Sequence, residues 1–180
     1  AAGIVRPIEE SLRAEHVDYV IYDQIVPNPR DIHCIAGAEF AREHGVDGMI
    51  AIGGGSSMDT AKAVGTLLAN GGTIRTWATP AVLEHPIIPL IAVPTTAGTG
   101  SEVTFDAVIT DTEAHVKLNI LDLKIAPKVA LVDPSVLQGL PEKAMSSPGV
   151  DALVHAVEAY TCKAASPVTD AFALYAIDLI

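Results

Sequence analysis

Two groupings of residues in this sequence could do chemistry. The first is AIGGGSSMDTAKAVG, residues 51–65, where Gly53, Gly54 and Gly55 run into two serines between an apolar stretch and an amphipathic one. A strand that ends in glycines and hands over to a helix gathers free backbone N–H groups and the positive helix end at one point, which suits a phosphate or pyrophosphate. Glycine is needed there because a Cβ would block positive φ angles and the close approach of an anion. The turn is not GxGxxG, and Lys62 does not stand where a P-loop lysine stands; an ordinary tight βα turn is the competing reading. The second grouping is Asp151 and His155, four apart in a predicted helix and therefore on one face of it, a turn from each other. A carboxylate beside an imidazole suits Fe(II), Zn(II) or Mn(II), although a histidine satisfied in the core is the commoner explanation of such a pair.

The elements that would position these groups follow from periodicity. RPIEESLRAEH (6–16) reads as helix, VDYVIYD (17–23) as a strand, VPNPR (26–30) as a turn, and DIHCIAGAEFAREHG (31–45) as a helix stopped by Gly45. VDGMIAIGGG (46–55) is the next strand and SMDTAKAVGTLLAN (57–70) the next helix, with Ser56 or Ser57 as N-cap. PIIPLIAVPTT (86–96) reads as a buried strand from its unbroken apolar character. Residues 102–111 and 115–120 form a predicted hairpin, KVALVDP (128–134) is one more strand, and from Leu140 onward the chain reads as helix.

Helices alternating with buried strands predict an α/β class with a parallel sheet, a Rossmann-like nucleotide-binding unit over 1–139, followed over 140–180 by the beginning of a helical domain. The first element is a helix with no strand before it, and the last helix runs to Ile180 without a cap. A chain trimmed at both ends, its first strand absent, is the expectation. Asp23 closes the strand 17–23, where a doubly wound fold meets an adenosine ribose. A carboxylate there accepts from the ribose hydroxyls and repels a 2′-phosphate, favouring NAD over NADP, and a solvated strand end is the bland alternative.

Composition removes several function classes. Eleven basic against 22 acidic side chains give a formal charge of −11, which repels a phosphodiester backbone and makes nucleic acid an unfavourable partner. Apolar residues are 49% of the chain, but the longest run, IIPLIAVP (87–94), is short and broken by proline, so no membrane span is expected. With no signal-peptide pattern either, a cytoplasmic protein is predicted. The two cysteines, Cys34 and Cys162, have no metal or disulfide spacing and are expected to be buried small apolar residues.

The segments AIGGGSSMDTAKAVG, PLIAVPTTAGTGSEVTFDAVITD and GVDALVHAVEAYTCKAASPVTDAFALYAIDLI, in that order, resemble the iron-containing (group III) alcohol dehydrogenases over about Asp23 to Ile180. Within that family the intermotif segments are most similar to the 1,3-propanediol dehydrogenase, lactaldehyde reductase and methanol dehydrogenase branch. The resemblance implies NAD as cofactor, its pyrophosphate on Gly54, Gly55 and Ser56, Asp59 near the nicotinamide ribose, and Asp23 setting the preference for NAD. It implies Thr95, Thr96, Thr99 and Thr104 along the cofactor cleft and Lys117 at a ribose hydroxyl. From the residues alone, these threonines are equally β-formers and N-caps, and Lys117 a solvated hairpin charge.

The resemblance also implies that Asp151 and His155 are the first two ligands of Fe2+, with Zn2+ an alternative. The family's other two ligands are histidines further along the chain. His16, His33, His44, His85 and His115 match none of those motifs, and Glu158 is expected to serve packing or to support the pair. The implied activity is metal-assisted hydride transfer between NAD and small primary alcohols, diols or their aldehydes, by a homo-oligomer when complete. A stand-alone NAD-binding module without catalysis is the alternative.

Overall fold

The computed structural model describes residues 3–138 and 140–180, and for Lys143 and Ala144 the backbone alone. The elements in chain order are α1 (Val5–Ala14), α2 (Asp31–Glu43), β1 (Met49–Gly53), α3 (Gly55–Asn70), α4 (Ile74–Trp77), β2 (Leu90–Pro94), β3 (Asp106–Asp111), β4 (Val116–Leu121), β5 (Val129–Ala130), α5 (Glu142–Thr161) and α6 (Pro167–Leu179). Strands β1, β2 and β5 form a parallel sheet in the order β1-β2-β5, with Met49 opposite Leu90 and Gly53 opposite Pro94. Strands β3 and β4 pair antiparallel with Asp106 opposite Leu121 and Asp111 opposite Val116, the hairpin read from the sequence. The chain is an α/β protein, as the alternation of patterns predicts. Among the described residues no helix is long and apolar enough to cross a membrane.

Helix α3 is the centre of the packing. Met58, Thr60, Lys62, Ala63, Val64, Gly65, Thr66 and Leu67 are all buried, a helix covered on nearly every side rather than along one stripe. Its hydroxyls cause no penalty, because Thr60 Oγ1 donates to the Ser56 carbonyl at 2.7 Å and Thr66 Oγ1 to the Lys62 carbonyl at 2.9 Å. Small residues let the neighbours close in. A Cβ on Gly37 of α2 would come within 2.8 Å of Val64 Cγ2, and one on Gly65 within 2.9 Å of Ile87 Cβ. Met58, Leu67, Leu90, Ile109, Ile120 and Ile125 complete one core that joins the sheet, α3 and the hairpin, each side chain contributing about 1.5–3 kcal/mol by burial.

Several expectations need correction. Residues 17–23 are extended but belong to no ladder. A β-strand exists only where a neighbour supplies the alternate bonds, and here Tyr22 is held by its side chain instead, its hydroxyl donating to the His33 carbonyl at 2.8 Å. A cavity of about 190 Å³, lined by Val20, Tyr22, Phe40, Ile50, Ile52 and Val64 among others, separates this segment from the outer edge of β1. The strand predicted over 128–134 is shorter, Val129 and Ala130 in register with β2 and flanked by bonds from Lys128 N–H to the Leu90 carbonyl and from Leu131 N–H to the Ala92 carbonyl, both at 2.8 Å. Cys34 is buried as expected, but Cys162 is exposed, because it is the residue at which α5 ends. The expected domain boundary at 139/140 falls on Gly139, outside the described residues.

Candidate functional site

The parallel pairing of β1 with β2 brings two loops side by side at the carboxyl ends of their strands: the glycine turn after β1 and residues 95–105 after β2. The ladder continues one step past the strands, Thr95 N–H donating to the Gly53 carbonyl at 2.8 Å. This is the edge at which open α/β sheets bind ligands.

The three glycines do different work. Gly53 has φ +146, and a Cβ on it would lie 2.2 Å from Ser57 Oγ; this position needs glycine for its backbone. Gly54 is the N-cap of α3 at φ −83 and ψ −171, a conformation open to any residue, and makes no side-chain cap bond. The predicted caps Ser56 and Ser57 lie inside the first turn of the helix instead. With glycine as the cap, no cap side chain covers the positive helix end; Ser57 N–H donates to the Gly54 carbonyl at 3.0 Å, and the Gly55 and Ser56 N–H groups have no hydrogen-bond partner among the described residues. A Cβ on Gly54 would stand 3.0 Å from Thr96 Oγ1, and one on Gly55 3.0 Å from Thr99 Cγ2 and 3.1 Å from Thr99 Oγ1. The turn is therefore a cradle that a Cβ would fill, with two threonines against it.

The remaining predicted cofactor residues fall into two groups. Asp59 and Thr104 turn inward. Asp59 Oδ1 accepts from Ser101 Oγ at 2.7 Å and Oδ2 from Val108 N–H at 3.1 Å, and Thr104 Oγ1 accepts from Lys62 Nζ at 3.2 Å. Burial pushes the Asp59 carboxyl up, opposed by the bonds from Ser101 and Val108, and burial pushes the Lys62 ammonium down, opposed by Asp59, Asp106 and Glu102. Asp23 and Lys117, by contrast, are exposed and make no side-chain hydrogen bond or ion pair among the described residues. Reading the sequence for sites missed Lys62 and Ser101. The available signal was that Asp59 and Lys62, three apart, are the only charged side chains in the apolar helix α3.

The second candidate lies on α5. Asp151 Oδ1 and His155 Nε2 are 3.6 Å apart, with side chains 47% and 62% exposed, so the pair stands on an open helix face and is no core histidine. Both donors are available to a cation, and among the described residues no group of three or more His, Cys, Asp or Glu side chains converges. Glu158 is exposed and makes no side-chain hydrogen bond among the described residues. The two candidate sites meet through Gly98, at φ +154: a Cβ there would lie 2.0 Å from the Pro148 carbonyl oxygen, one turn before Asp151 on α5.

Comparison with known proteins identifies the family over both parts of the chain. The family model described as iron-containing alcohol dehydrogenase matches residues 1–134, and that of the C-terminal part of the same family matches residues 145–180. The NAD-dependent methanol dehydrogenase of Bacillus methanolicus is 43% identical over 180 residues, 100% of this chain and 47% of the relative. Among solved structures, a 1,3-propanediol oxidoreductase superposes with a TM-score of 0.90 at 39% identity, covering 95% of this chain and 45% of that one. The sulfoacetaldehyde reductase of Bifidobacterium kashiwanohense, solved in complex with NAD+, does so with a TM-score of 0.85 at 32% identity, covering 97% and 48%. The chain thus spans just under half the length of the relatives it matches. Carrying the glycine cradle, the threonine loop and the Asp151–His155 pair on a fold shared along nearly its whole length, the chain belongs to the iron-containing alcohol dehydrogenase family.

Proposed function

We propose that this chain forms the nucleotide-binding part and the first metal ligands of an NAD-dependent dehydrogenase that interconverts small primary alcohols or diols with their aldehydes. The observation that carries the reading is the Gly54–Gly55 cradle at the start of α3, bordered by Thr96 and Thr99. Backbone N–H groups there would take the dinucleotide pyrophosphate together with Ser56, and Thr95, Thr96 and Thr99 would border it. Asp59 and Thr104 act from behind, through Ser101 and Lys62. Asp23 and Lys117, both exposed, are assigned to the ribose hydroxyls, Asp23 discriminating against a 2′-phosphate.

Asp151 and His155 would hold a divalent ion, Fe2+ with Zn2+ as the alternative, since a carboxylate and an imidazole are donors both ions accept. The chemistry such an ion supplies is Lewis-acid polarisation of the substrate oxygen. A catalytic divalent site takes at least three protein ligands, so this pair is part of a set. The charge of −11 supports a small-molecule substrate over nucleic acid.

Isothermal titration of the chain with NAD and NADP tests the nucleotide half. NAD binding is expected, with NADP weaker and regaining affinity when Asp23 is changed to serine; equal affinity for both in the wild type would remove Asp23 from its role. Titration with Zn2+ before and after His155→Ala tests the pair, and unchanged stoichiometry would remove it from the metal site.

A further inference from the structure

Lys62 is completely buried at the centre of the molecule. Its ammonium has three N–H donors, and all three are engaged: Ser101 Oγ at 3.0 Å, Thr104 Oγ1 at 3.2 Å and the Asp106 carbonyl at 2.9 Å. Two of the acceptors, Ser101 and Thr104, lie in the second half of the threonine loop, and the third, Asp106, opens β3. That loop, residues 95–105, contains no helix or strand. Its backbone is tied at the two ends, Thr95 N–H donating to the Gly53 carbonyl at 2.8 Å and the Phe105 carbonyl accepting from Asp122 N–H at 3.1 Å, and in between it makes a local turn bond from Val103 N–H to the Gly100 carbonyl at 3.0 Å, so the middle of the loop depends on side chains for its position.

We propose that Lys62 is a positioning residue for the nucleotide cradle, anchoring the loop from beneath so that Thr99 and Thr96 stand against Gly55 and Gly54. The route is short. Lys62 holds Ser101 Oγ, Ser101 N–H donates to Thr99 Oγ1 at 3.3 Å, and Thr99 packs on Gly55. Ser101 is fixed from the other side by Asp59 at 2.7 Å, which makes α3 the common support of loop and cradle. A buried, hydrogen-bonded charge is poor evidence of stability as such, because apolar residues of similar volume commonly replace buried charged groups without loss. What an apolar side chain could not reproduce is the convergence of three donors on two points of an irregular loop and on the first residue of the strand that follows it. The burial that depresses the Lys62 ammonium is the cost of that arrangement.

The proposal rests on the reading of the cradle as an NAD site, and the experiment separates the two. NAD affinity is measured by titration calorimetry on the full 180-residue chain, well below the melting temperature, for wild type, Lys62→Met and the core truncation Ile120→Val. Lys62→Met is expected to bind NAD at least about tenfold more weakly while Ile120→Val keeps wild-type affinity. Wild-type affinity in Lys62→Met, or an equal loss in Ile120→Val, would overturn the proposal. Should Lys62→Met fail to fold, Ser101→Ala is read in its place, with several-fold weaker binding expected and unchanged binding overturning the anchor. Should the wild type itself bind no NAD, the nucleotide reading fails alone. Amide hydrogen exchange over residues 99–108 then decides the anchor: faster exchange in the Lys62 or Ser101 variant upholds it, and unchanged exchange overturns it.

Discussion

Alanine at position 54 should leave the fold intact and weaken the ligand, whereas alanine at position 53 should weaken the fold itself. Gly53 has φ +146, and its new Cβ would meet Ser57 Oγ at 2.2 Å and Ser57 Cβ at 2.8 Å. The hydroxyl can rotate away but the Cβ cannot, so the backbone must take the strain, which costs about 1–3 kcal/mol. For a chain of this size each kcal/mol moves Tm by about 2–4 °C, and Gly53→Ala is expected to melt about 2–12 °C lower. Gly54 has φ −83, suitable for alanine, and its Cβ requires Thr96 Oγ1, 3.0 Å away, to give by a fraction of an ångström. Its Tm should stay within about 2 °C of wild type. The same methyl group occupies the cradle where the pyrophosphate must approach the helix N–H groups. Losing one hydrogen bond to a charged group costs about 1.5–3 kcal/mol, or about 10–150-fold in NAD affinity. Circular-dichroism melts and calorimetric titration with NAD measure the two effects on the same preparations. Wild-type NAD affinity in Gly54→Ala would refute the cradle, and an unshifted melt in Gly53→Ala would refute the assignment of its glycine to backbone conformation.

Three further outcomes follow from the structure. The Arg75 guanidinium donates to Asp111, with the N–H groups of Ala114 and Glu113 adding to it, and together they hold the Asp111 carboxyl well below its ordinary value of 3.8. A carboxyl depressed in the folded state stabilises above its unfolded pKa and loses that contribution as pH falls. Urea midpoints at pH 6 and pH 3 should therefore differ more in the wild type than in Asp111→Asn, and equal differences would refute the sign. Gly98→Ala should separate the threonine loop from α5, since its Cβ would meet the Pro148 carbonyl carbon at 2.5 Å and oxygen at 2.0 Å; amides flanking 98 and 148 should exchange faster than in wild type. Cys162 is exposed, while Cys34 is buried with its thiol pushed up to about 12 by burial and by the charges of Asp31 and Asp59. One thiol should therefore react with a disulfide reagent in the native protein and the second only in denaturant, as mass spectrometry of the labelled peptides would show.

Features that depend on near neighbours were legible along the chain. The helices around α2, α3 and α6, the hairpin of β3 and β4, the glycine turn between β1 and α3, and the shared face of Asp151 and His155 all follow from spacings of a few residues. Tertiary structure decided whatever needed a distant partner. Residues 17–23 have every local mark of a strand and remain without a ladder, because pairing comes from another segment. Ser56 and Ser57 look like caps, yet the close approach of Thr96 and Thr99 goes with a helix that begins on Gly55 and is capped by Gly54, two and three residues before those serines. Lys62, noted in the sequence only as not standing where a P-loop lysine stands, is enclosed by three acceptors from 39 to 44 residues further along the chain. A buried ammonium is tolerable only where such partners converge, and that convergence is a property of the assembled fold.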